Sequence, residues 1–233
     1  MENNPNFKVF LYASKEKFII SVQKKTPQKI YREELISSVD NEELTLDDLN
    51  FFLEKHIFKI EKKLENFVKK IYLILDSDDF FPLEISLKKN NYENVIDLKN
   101  LSHLLKDGKD YCKKTIGNRK IVHMIIDNYQ IGDEVYKFLP EDLRANSLSV
   151  NIKFICISNE LIKNFEKILK KYQISLGQVV NAKYVSQFME NDKIDIFIKA
   201  EKIMDGHNPN EVMLVDKTLK KQGFFEKFFN FFN

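Results

Sequence analysis

The chain has 233 residues, 43% hydrophobic and 31% charged, enough to bury one large core or two interlocked small ones. That composition excludes a disordered chain. The net charge is only +2, and three of the 37 basic residues are arginine (Arg32, Arg119 and Arg144). No nucleic-acid partner is expected, because neither a basic field nor bidentate arginine recognition is indicated.

Six glycines (Gly108, Gly117, Gly132, Gly177, Gly206 and Gly223) lie at least nine positions apart, so no GxGxxG or GxxxxGK[ST] phosphate loop exists. Cys112 and Cys156 lack CxxC spacing. Zinc is not implied, and a reduced pair is a simpler reading than a single bridge. His56, His103, His123 and His207 form no HxxxH or HExxH pair. The polar segment Met1–Lys8 does not resemble a signal peptide, and no apolar run approaches the roughly 18 residues of a spanning helix. A cytosolic chain that does not cross a membrane is expected.

Lys8–Ala13 and Lys17–Val22, separated by Ser14-Lys15-Glu16, predict a hairpin, with a third strand near Lys29–Ile36. Thr45 followed by Asp48 is a capping-box signature. Behind it Leu46, Leu49, Leu53, Ile57, Ile60, Leu64, Phe67 and Ile71 recur at steps of three and four, predicting an amphipathic helix to about Lys70. Ile71–Leu75 reads as a strand buried on both faces. From Asp76 to Ser149 the pattern becomes turn-rich, with a helix at about Leu98–Lys114, a strand at Ile121–Ile126 and turns over Asp127–Pro140. This predicts a small α+β unit inserted into the core elements. Val150–Ile157 then reads as a return to the main core. Ser158 caps a helix carrying Leu161, Phe165, Ile168 and Tyr172. A strand at Gly177–Asn181, a helix at about Lys183–Glu190 and a linker beyond Asp205 follow.

No catalytic constellation emerges. The pairs Glu33-Glu34, Glu42-Glu43, Asp47-Asp48 and Asp78-Asp79 are adjacent in sequence and point apart. His123, inside an apolar run, reads as a satisfied core histidine. Ser158 lacks the GxSxG of a nucleophile. Catalytic, metal and cofactor residues are therefore none.

The C-terminal segment has stronger character. On a helical wheel Phe224, Phe225, Phe228, Phe229, Phe231 and Phe232 fall within about a 160° arc. Glu226, Lys227, Asn230 and Asn233 face the other way, and Lys217, Lys220 and Lys221 come before. Membrane-surface binding is favoured for these phenylalanines and for Lys217, Lys220, Lys221 and Lys227. Docking on the chain's own core is the other reading.

RKIVHMIIDNYQIGDEVYKFLP (Arg119–Pro140) is similar to a segment of the bacterial actin-like cell-division FtsA family. Arg119, His123, Tyr129 and Ile131 stand in the family's order, with Gly132-Asp133 near its Asp. The stretch Asn151–Met189 resembles that family's strand, Asn-bearing helix start, helix and following strand. FFEKFFNFF resembles its membrane-targeting helix. The resemblance implies an actin-like, ribonuclease H-like first subdomain carrying an inserted α+β subdomain, an α/β (α+β) fold overall. It spans about the first half of a typical family member. The expectation is a reduced form lacking the second lobe, with which the second phosphate loop, the adenosine pocket and the usual FtsZ docking surface would go. The first turn, Leu11–Glu16, lacks the Asp-x-Gly with which actin-like ATPases hold phosphate.

The expected organisation is residues 1–79 and 150–205 as the actin-like subdomain, 80–149 as the insertion, 206–222 as linker and 223–233 as the amphipathic helix. The resemblance implies a non-catalytic, membrane-peripheral adaptor at the cytoplasmic face of the inner membrane, at the division site. It would bind anionic lipid, division proteins and further copies of itself. A soluble actin-like adaptor of pilus-assembly type, its tail packed on its own core, is the alternative.

Overall fold

The computed structural model describes residues 7–24, 29–37, 43–90, 98–140, 144–190 and 192–213. Its first sheet uses strands covered on both faces, so they read as unbroken apolar runs. In β1 (Phe7–Ala13), Val9, Leu11 and Ala13 enter one core while Phe10 and Tyr12 enter another on the opposite face. β4 (Lys70–Leu75) divides likewise, Ile71, Leu73 and Leu75 against Ile74. β1 pairs antiparallel with β2 (Lys17–Lys24), which pairs antiparallel with β3 (Lys29–Ile36). β4 and β9 (Ser175–Asn181) continue parallel to β1, in the order β3-β2-β1-β4-β9. An antiparallel meander followed by two parallel strands is the ribonuclease H-like sheet of actin-type proteins. The mixed α/β fold is thus of the class the resemblance implies.

α1 (Leu46–Leu64) starts at a complete capping box. Thr45 Oγ1 accepts the Asp48 N–H at 3.2 Å, and the Asp48 carboxylate accepts the Thr45 N–H at 2.8 Å. Leu49, Phe52, Leu53, Ile57 and Ile60 face the sheet, where α3 (Asn159–Lys170) contributes Ile162, Phe165, Ile168 and Leu169 to the same core. α4 (Ala182–Gln187) and α5 (Ile196–Met204) cover the other face with Val185, Phe197, Ala200 and Ile203. α5 has no counterpart among the elements expected from the sequence; Asp195 caps it by accepting the Phe197 N–H.

α1 stops six residues short of the expected end. Glu65 turns left-handed at φ 51° and its N–H returns to the Glu61 carbonyl. The Glu61 side chain then takes the Val68 N–H at 3.0 Å, steering the chain into β4. Phe67, expected on the buried stripe, lies beyond the cap and is exposed.

The second sheet is antiparallel throughout, in the order β5-β8-β6-β7: β5 (Phe81–Asn90), β8 (Ser147–Ser158), β6 (Arg119–Ile131) and β7 (Glu134–Tyr136). α2 (Leu98–Thr115) covers one face through Leu101, Leu104 and Cys112. Two expectations are corrected. The strand at 150–157 belongs to this sheet, not the first, and only its end, Ile157, reaches the main core. The stretch 127–131 continues β6 and turns at Gly132, φ 62°, into β7, where turns alone were expected. Within the expected linker, residues 210–212 run beside β6. Ile126 N–H donates to the Asn210 carbonyl at 2.7 Å and Val212 N–H to the Met124 carbonyl at 2.8 Å.

Candidate functional site

In an actin-type fold the β1–β2 turn is where a nucleotide phosphate would meet backbone N–H groups. Here the N–H groups of Ser14, Glu16 and Lys17 are occupied. Ser14 Oγ accepts the N–H of Glu16 at 3.2 Å and of Lys17 at 3.0 Å, and the Ser14 N–H donates to the Lys17 carbonyl at 3.0 Å. The turn is also bolted to its surroundings, with Leu44 N–H on the Lys15 carbonyl, Ser37 N–H on that of Glu16 and Asp76 N–H on that of Ala13. Lys15 Nζ is 3.0 Å from both Glu43 and Asp78 carboxylates. Tyr12 donates its hydroxyl to Asp76 at 3.2 Å. A phosphate arriving here meets bonded amides, a neutralised lysine and the carboxylates of Glu16, Glu43, Asp76 and Asp78. The residues present do not fit a magnesium nucleotide.

A second polar cluster lies where the two sheets meet. The neutral ring of His123, 1% exposed, is bonded on both nitrogens. Nε2 accepts the Asn181 N–H at 3.0 Å, so the proton sits on Nδ1, which donates to Glu211 Oε1 at 2.6 Å. Tyr184 donates to Glu211 Oε2 at 2.8 Å and accepts from Asn208 at 2.6 Å. Burial first, then the Glu211 carboxylate, push the Tyr184 phenol far up. Asn181 Oδ1 meanwhile caps α4 through the Tyr184 N–H. Both ring nitrogens of His123, both carboxylate oxygens of Glu211 and the Tyr184 hydroxyl have protein partners, the signature of a structural clamp. His123 is the core histidine the sequence suggested. Glu211, Tyr184 and Asn208 carried no local signal, because their partners are remote in sequence.

Arg119, first residue of the resemblance motif, marks the crossing between sheets. It donates to the Asp79 carbonyl at 2.8 Å, and the Asp79 carboxylate accepts the Ser158 N–H at 2.8 Å. Ser158 in turn caps α3 through the Leu161 N–H, as its sequence position indicates. Of the acidic pairs, Asp48 is committed to capping and Asp79 to this crossing. Among the described residues no group of three or more His, Cys, Asp or Glu side chains is placed to hold a metal, and no helix is long and apolar enough to cross a membrane. The membrane-binding candidates Lys217, Lys220, Lys221, Phe224, Phe225, Lys227, Phe228, Phe229, Phe231 and Phe232 lie outside the described residues.

No family model matches the chain, and no curated protein matches it. Solved structures overlap it in part. The cytoplasmic domain of EpsL, an inner membrane component of the type II secretion system of Vibrio cholerae, aligns with 77% of this chain and 58% of that one, at 9% identity and a TM-score of 0.38. A PilM–PilN type IV pilus biogenesis complex aligns with 77% of this chain and 48% of the solved chain, at 10% identity and a TM-score of 0.44. A Bacteroides thetaiotaomicron protein with an actin-like ATPase fold aligns with 82% of this chain and 58% of that one, at 10% identity and a TM-score of 0.31. The chain thus spans between 48% and 58% of the length of these structures.

Proposed function

We propose that this protein is a non-catalytic actin-type adaptor, a scaffold that binds other proteins and has no ATPase activity. One observation carries the reading: Ser14 and Lys15 close the turn through which an actin-type ATPase would grip phosphate. Retention of the sheet without that grip favours a binding role, and the second sheet supplies surface for it. Titration calorimetry with MgATP tests the first half, with no heat of binding expected. Micromolar, magnesium-dependent binding would overturn it.

The adaptor role has two candidate settings. One is a pilus- or secretion-type assembly, the kind named for the EpsL and PilM structures, with the partner a component of that machinery. The other is the divisome, supported by the likeness of Arg119–Pro140 to the FtsA family. In the divisome setting the segment from Lys217 to Phe232 would hold the adaptor at the cytoplasmic face of the inner membrane, whereas in the pilus-type setting it would pack on the chain's own core. Crosslinking in the native cell followed by identification of the captured partners separates them: pilus or secretion components for the first, division proteins for the second.

A further inference from the structure

β5 is the long open edge of the second sheet. It pairs with β8 from Phe81 to Asn90, and among the described residues no strand meets its other side. Such an edge presents a row of backbone N–H and C=O groups that soluble proteins cover or blunt. We infer that this edge pairs antiparallel with β5 of a second copy, about a two-fold axis through Ser86, joining two four-stranded sheets into one.

Backbone geometry restricts the register. Alternate residues of a strand direct both backbone groups to the same side, and in an antiparallel pair the residues that exchange bonds lie opposite each other. A strand pairing with its own copy therefore matches even positions with even and odd with odd. The axis passes through a residue, never between two.

Charge then selects among these registers. Centring on Ser86 sets Glu84 opposite Lys88 twice and Ile85 opposite Leu87 twice. Centring on Ile85 sets Glu84 against Ser86 and Lys88 against Pro82. Centring on Leu87 sets Glu84 against Asn90 and Lys88 against Ser86. Axes at Glu84 or Lys88 juxtapose like charges, which is unfavourable. Only Ser86 gives opposite-charge pairs, and an isologous contact forms each of them twice.

The side chains are disposed for this pairing. Glu84, Ser86 and Lys88 share the exposed face, while Leu83, Ile85 and Leu87 are half-buried on the α2 side and gain apolar neighbours from the second copy. The Glu84 side chain is 73% exposed, and Lys153 approaches it only to 3.7 Å. A row of polar side chains also crosses the sheet to the proposed axis. Asn151 donates to Asn128 at 2.6 Å, and Ser86 donates to Asn151 at 2.5 Å.

The experiment is sedimentation of the full chain across a concentration series. Wild type is expected to show a reversible monomer–dimer equilibrium. Glu84→Lys and Lys88→Glu should each weaken the dimer about tenfold or more, since two attractive pairs become two repulsive ones. Mixing the two variants should restore association, because every pair is complementary again in the heterodimer. The double variant should restore it for the same reason. Circular dichroism melts check that each variant is folded. Three results would overturn the inference: a wild type that stays monomeric, a dimer indifferent to both reversals, as association through the C-terminal segment would give, or a mixture that associates no better than its components.

Discussion

Nδ1 of His123 lies 2.6 Å from Oε1 of Glu211, tying β6 to a residue 88 positions later in the chain. Both side chains are buried, at 1% and 7% exposure. The pair makes residues 208–212 part of the fold. Glu211→Ala would leave the His123 Nδ1–H and Tyr184 hydroxyl without their acceptor, and is expected to cost about 3 kcal/mol. Glu211→Gln keeps an acceptor for His123 and should cost about 1 kcal/mol. Urea unfolding measures both. Equal stability of wild type and Glu211→Ala would show the segment to be a free linker after all.

Stability should fall steeply on the alkaline side. The Tyr12 phenol is pushed up to about 12, by burial first and then by the Asp76 carboxylate. Burial raises Tyr129, and raises the Cys112 thiol to about 12. Each group holds its proton more tightly folded than unfolded, where thiols and phenols release near 9 and 10. Their contribution is therefore full below pH 9 and is lost as pH rises toward 12. Tyr12 alone accounts for a loss on the order of 2–3 kcal/mol. The urea midpoint should hold from pH 7 to about 9 and then drop, with a shallower drop in Tyr12→Phe. His56, lowered by burial, gives a smaller loss of opposite sense as pH falls below 6.5. A midpoint that does not change up to pH 11 would contradict the buried placement of these phenols.

Gly108 explains how closely α2 lies on the second sheet. A Cβ there would stand 2.8 Å from Leu87 Cδ1, 3.1 Å from Ile152 Cδ1 and 3.4 Å from Ile85 Cδ1. Glycine within a helix costs about 1 kcal/mol relative to alanine, so Gly108→Ala should come out near neutral, helix gain offsetting the shift of three methyl groups. Gly108→Leu should wedge the helix away and destabilise by about 2–3 kcal/mol. Thermal melts distinguish the two. A neutral leucine variant would mean that the helix does not rest on Leu87 and Ile152.

The C-terminal phenylalanines are expected to order on contact with lipid, because a helix of about ten residues is marginal in water. Phe228→Glu should abolish co-sedimentation with anionic liposomes and leave the melting temperature unchanged. Lys220→Glu with Lys221→Glu should weaken binding to anionic vesicles but not to neutral ones. If the segment packs on the protein's own core instead, Phe228→Glu will lower stability by several kcal/mol and wild type will stay in the supernatant.

Features that close within one turn or one cap are legible from the residues alone. The Thr45–Asp48 capping box, the Ser158 cap, the β1–β2 hairpin and the apolar seam of α1 are settled within a few residues of themselves, so composition and spacing sufficed. The absence of glycine and aspartate from the Leu11–Glu16 turn is legible in the same way. How Ser14 consumes the amides of Glu16 and Lys17 depends on backbone conformation, and became visible only in the fold. Tertiary structure decided the rest. Val150–Ile157 could have served either sheet, because a strand buried on both faces carries no mark of its partners. His123 could be read as buried, but not as the acceptor for Asn181 or the donor to Glu211. That β5 ends its sheet among the described residues is likewise a matter of which strand lies beside it, and that depends on long-range pairing rather than local pattern.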